Sequence, residues 1–103
     1  MSTVNNILMS LLSGIDDPEI RVEVMRTVYF LQQAYASGAV DENQIRSDLK
    51  EICETIIKAK DPLVDPETLK MQAEELAERI LEAFRLQSSF ARIRRRLGFS
   101  PGY

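Results

Sequence analysis

The 103 residues of this chain include 13 Lys or Arg and 16 Asp or Glu, one Cys and no His or Trp. Its chemistry therefore rests on carboxylates, ammonium and guanidinium groups and a single thiol. Without imidazole, the chain lacks the usual general base near neutral pH and the commonest metal ligand. That excludes Ser-His-Asp and Cys-His nucleophile systems and zinc sites that need His. One cysteine, Cys53, provides neither an internal disulfide nor a Cys-only metal site. A reactive thiol needs exposure and a nearby cation. Cys53 instead sits among Ile52, Ile56 and Ile57, with Glu54 adjacent, and reads as a small buried hydrophobe. The four glycines are scattered singly, so there is no phosphate-cradling loop. Glu74, Glu78 and Glu82 recur every four residues. Carboxylate-bridged metal bundles need Glu-x-x-His, so this row reads as a solvated face with Glu75 and Arg79 as a helical pair. No catalytic, cofactor-binding or metal residue is assigned, and the chain reads as a non-enzyme without a cofactor.

The charge is split along the chain. Residues 1–84 hold eight basic and all sixteen acidic side chains, and residues 85–103 hold Arg85, Arg92, Arg94, Arg95 and Arg96 with no acid. A net charge of −3 thus conceals −8 followed by +5. An arginine group of this kind binds phosphate oxygens with a salt-dependent affinity, and Phe90, Phe99 and Tyr103 would add stacking to unpaired bases. Cations at a helix C-terminus also complement its dipole, and they would pair with the acidic body of another copy.

The elements that must place these groups are helical. Val4, Ile7, Leu8, Leu11, Leu12 and Ile15 keep one helical face over about 3–13, which Ser2 or Thr3 can start and Gly14 can stop. Asp17-Pro18-Glu19 starts a second helix that runs to Ser37 and stops at Gly38. Its wide apolar content (Ile20, Val24, Val28, Leu31 and Tyr35, flanked by Val22, Met25, Tyr29 and Phe30) predicts the central, most buried helix. A third helix, about 42–60, carries Ile45, Leu49, Ile52, Cys53, Ile56 and Ile57 on one face. Asp41 and Gln44 make a D-x-x-Q start resembling a capping box. The short turn between them makes helices two and three a hairpin. As a DNA-reading helix-turn-helix it is disfavoured, because Asp41-Glu42-Asn43-Gln44 and Asp48 would meet phosphates. Asp65-Pro66-Glu67 starts a fourth helix reaching Leu97, with Leu69, Ala73, Leu76, Ala77, Ile80, Leu81 and Phe84 on one face. Leu86, Phe90, Ile93 and Leu97 form a second seam rotated from it by roughly 80°. Gln87-Ser88-Ser89 between them invites a break. Met9, Met25 and Met71 read as core filler.

These patterns predict an all-α fold. It is a four-helix bundle, or five if the last helix breaks near 87–89, around a central helical hairpin with a long C-terminal helix. Residues 1–97 form one domain and 98–103 a tail. The function expected is helical interaction or oligomerisation, as an adaptor or assembly subunit. The interface would be an antiparallel dimer through Phe84, Leu86, Phe90, Ile93 and Leu97, with Glu74 facing Arg96 and Glu78 facing Arg92. The alternative is nucleic-acid contact through Arg85, Arg92, Arg94, Arg95 and Arg96. No basic leader precedes Ile7-Leu8-Met9, and no run approaches the ~18 apolar residues of a membrane span, so a cytoplasmic location without a membrane partner is expected.

Overall fold

A computed structural model describes the backbone of residues 3–96 and the side chains of residues 3–89. It contains four helices: α1 (Thr3–Leu12), α2 (Pro18–Ser37), α3 (Glu42–Lys60) and α4 (Pro66–Arg96). No strand occurs among the described residues. Leu97 and the tail 98–103 lie outside them.

The helix boundaries follow local chemistry. Asp17 is extended and its carboxylate accepts the Glu19 N–H at 2.9 Å, with Pro18 at the first helical position. Asp65 accepts the Thr68 N–H at 3.1 Å at the start of α4. Gly14 and Gly38 have φ of +89° and +72°, a left-handed conformation that closes a helix at little cost for glycine. At α3 the capping box does not form. The Asp41 side chain makes no cap bond, and the Gln44 amide donates to Asp48 at 3.0 Å, one turn further along the same helix. The last turn of α1 is held from outside: the Arg21 guanidinium donates to the carbonyls of Leu12 and Ile15 at 2.8 and 3.0 Å. The Leu12 carbonyl, at the end of α1, also accepts the Ile15 N–H at 3.0 Å.

One apolar cluster joins all four helices. It takes Val4, Leu8 and Leu12 from α1, Val24, Val28 and Leu31 from α2, and Ile45, Leu49, Ile52, Cys53 and Ile56 from α3. From α4 it takes Ala73, Leu76, Ala77, Ile80, Leu81, Ala83 and Phe84. The most extensive packing is α3 against α4, followed by α2 against α3. The expectation that α2 is the most buried helix is therefore corrected. α2 buries one stripe, while Val22, Met25, Tyr29 and Phe30 face solvent, Tyr29 and Phe30 at 63% and 69% exposure. Neighbours on one side of a helix leave its opposite side uncovered, whatever residues it carries. Met9 and Met71 are exposed as well, so the three methionines read as filler lie on the surface.

The described part of α4 passes through Gln87-Ser88-Ser89 without a break. Gln87 is half-buried there, and its side-chain oxygen accepts a 2.6 Å bond from the Gln32 amide of α2. A break would strip backbone groups of their intrahelical partners, and the continuous helix keeps them. Among the described residues, no helix is long and apolar enough to cross a membrane.

Candidate interaction surfaces

The row of glutamates on α4 meets a complementary row on α3. Arg46 Nε donates to Glu78, and Lys50 Nζ lies 3.2 Å from Glu74. Four residues forward on α3 correspond to four residues back on α4, so the helices run antiparallel in a fixed register. The same register brings Glu42 toward Glu82, which alone would oppose two carboxylates. Arg85 resolves that clash: its Nε donates to Glu42 at 3.2 Å and its Nη1 to Glu82 at 2.9 Å. Donating to the Glu42 and Glu82 carboxylates raises the affinity of the Arg85 guanidinium for its proton, as donating to Glu78 does for Arg46. The glutamate row is therefore an interhelical ion-pair seam, and among the described residues no cluster of acids, Cys or His suits a metal ion.

This seam decides where several sequence-designated residues belong. Arg85 is committed inside its own chain and is not a free anion contact. Phe84 is 1% exposed and packs against Tyr35 with ring centroids 5.9 Å apart, so it belongs to the chain's own core and not to an oligomer face. Glu74 and Glu78, designated as partners for the arginines of a second copy, already bind Lys50 and Arg46. Leu86 remains on the surface at 45% exposure. The side chains of Phe90, Arg92, Ile93, Arg94, Arg95 and Arg96 lie outside the described residues, although the α4 backbone is helical through Arg96.

Cys53 is fully buried, and desolvation pushes its thiol up to about 12, so it is inert filler.

Two further surfaces were not designated from the sequence. The first is the outward side of α2 with α1 beside it, where Val4, Leu8, Met25, Val28 and Tyr29 line an apolar cavity of about 330 Å³. The second is a groove of about 480 Å³ between α2 and α3. Its floor holds Leu31 and Ile52, and Phe30 stands beside them. Glu23, Asp48, Glu51 and Glu54 surround it, with Lys58 as the one cation among its lining residues. None of these four carboxylates is in an ion pair among the described residues. The signal in the sequence was an α2 with more apolar residues than one face can bury, and acids at 48, 51 and 54 that share an α3 edge.

No protein-family model matches this chain, and neither the curated proteins nor the solved structures contain a similar one.

Proposed function

We propose that this protein is a non-enzymatic interaction and oligomerisation module whose contact element is the C-terminal part of α4. The observation that carries the reading is the continuity of α4. It passes the α3 N-terminus at the Glu42–Arg85 bond and runs on as one helix to Arg96. Leu86, just beyond that bond, is exposed, and the sequence continues the same seam with Phe90, Ile93 and Leu97. An apolar seam beyond a helix's own bundle is stabilised by covering it with another protein surface. The cytoplasm suits such a module, since its one thiol is buried and needs no oxidising compartment.

Light scattering coupled to size-exclusion chromatography tests the reading. Assembly is expected at micromolar concentration and should be lost in Leu86→Lys with Ile93→Lys. A monomeric wild-type chain would refute it. The second reading, phosphate contact through Arg92, Arg94, Arg95 and Arg96, is favoured by the absence of any acid after Glu82. It requires nucleic-acid binding that falls steeply with salt and disappears when these four become Ala.

A further inference from the structure

We infer that the groove between α2 and α3 is the receptor for the arginine-bearing end of α4 from a second copy of this chain. The inference rests on the oligomerisation reading above and supplies the surface that reading lacks. The electrostatics identify the occupant. The groove offers four carboxylates against one ammonium around an apolar floor with Phe30 exposed beside it. Residues 86–103 offer Arg92, Arg94, Arg95 and Arg96, the apolar Phe90 and Ile93 between and before them, and no carboxylate side chain. The charges of the two stretches are opposite in sign, and each carries apolar residues alongside them.

The fold excludes the chain's own α4 as occupant. α4 lies on the α3 edge marked by Glu42, Arg46 and Lys50, and leaves past Glu42 at the α3 N-terminus. The groove lies on the other edge and extends along α3 to Thr55 and Lys58, toward its C-terminus. An unbroken helix running to Arg96 cannot reverse and return there. Donor and acceptor are therefore different surfaces of different molecules, and contact is heterologous: each copy gives one α4 end and receives one. Opposite charges across such a contact set its register and speed its formation.

The test uses the 103-residue chain and two variants, Glu23→Lys with Glu51→Lys at exposed positions of the groove and Arg94→Glu with Arg95→Glu on α4. Circular dichroism should show wild-type helicity and melting for both. Self-association by sedimentation velocity should weaken about tenfold or more in each variant at low salt. Mixing the Lys-bearing groove variant with the Glu-bearing α4 variant should restore a complex, because the reversed charges match again. If the groove variant associates like wild type while the α4 variant does not, the groove assignment is overturned and the oligomerisation reading stands. If wild type stays monomeric to about 100 μM, the reading itself falls and the inference with it. If the α4 variant loses only nucleic-acid binding and the mixture forms no complex, the groove is not the receptor.

Discussion

The two edges of α3 are built from the same residue types and end in opposite states. On the edge toward α4, Glu74, Glu78, Glu82 and Glu42 meet Lys50, Arg46 and Arg85, and apolar side chains lie sealed beneath them. On the edge toward α2, Asp48, Glu51 and Glu54 face Glu23 with only Lys58 among them, and Phe30 is left in solvent. The first edge is complete within one chain. The second leaves its four carboxylates outside any ion pair among the described residues. The difference lies in register: an antiparallel pair of helices with charges repeating every four residues can match sign for sign, and α2 brings no cation row to the other side.

The widest separation between the edges should appear in their aromatic residues. Phe84→Ala empties a site under the closed edge and should cost about 3–5 kcal/mol in chemical denaturation. Phe30→Ala on the open edge should change monomer stability by less than about 0.5 kcal/mol. Equal losses would mean that Phe30 belongs to the core. Burial beneath the closed edge can be read independently through Cys53. With its thiol near 12, about one part in ten thousand is thiolate at pH 8, so native protein should resist a thiol reagent that labels it fully in denaturant. Rapid native labelling would show that the α3–α4 packing opens.

Charge substitutions sharpen the contrast at smaller amplitude. Arg85→Gln removes the bridge between Glu42 and Glu82 and should lower Tm, with the loss shrinking as salt rises. Glu51→Lys in the groove should leave Tm unchanged or raise it, because it relieves like-charge repulsion. A loss there matching that of Arg85→Gln would abolish the distinction.

The smallest effect concerns the start of α4. Thr68, through its hydroxyl and its backbone N–H, holds the Asp65 carboxyl below its ordinary value of 3.8. The ionised form is favoured in the fold, so its contribution is fully present above that value and fades as pH falls below it. The Tm difference between wild type and Asp65→Ala should therefore be constant near neutrality and narrow in acid below about pH 4. A difference independent of pH would assign it to helix propensity alone.

How much of this was legible in the sequence depends on the range of the interaction. Asp17-Pro18-Glu19, Asp65-Pro66, Gly14 and Gly38 act within a few residues, and they fix the helix starts and stops that their chemistry implies. The apolar stripes of α1, α3 and the first part of α4 emerge as core because each has one dominant face. α2 was misread because it has two: Ile20-Val24-Val28-Leu31-Tyr35 and Val22-Met25-Tyr29 obey the same period, and periodicity alone gives no reason to bury one over the other. The glutamates of α4 are exposed, as a solvated face requires, but the pairing of Glu74 with Lys50 and of Glu78 with Arg46 was not legible, since those partners lie on another helix more than twenty residues earlier in the chain.

The sequence by itself determined that the described chain is helical, where α1, α2 and α3 begin and end and where α4 begins, and that no histidine is present. Those properties follow from residue types and from contacts a few positions apart. Tertiary structure decided which face of α2 is buried, that Arg85 and Phe84 serve their own chain, and that the acids beside α2 remain unmatched. A period of 3.6 residues orients a side chain about its own helix axis, and only packing against other helices determines what that side chain meets.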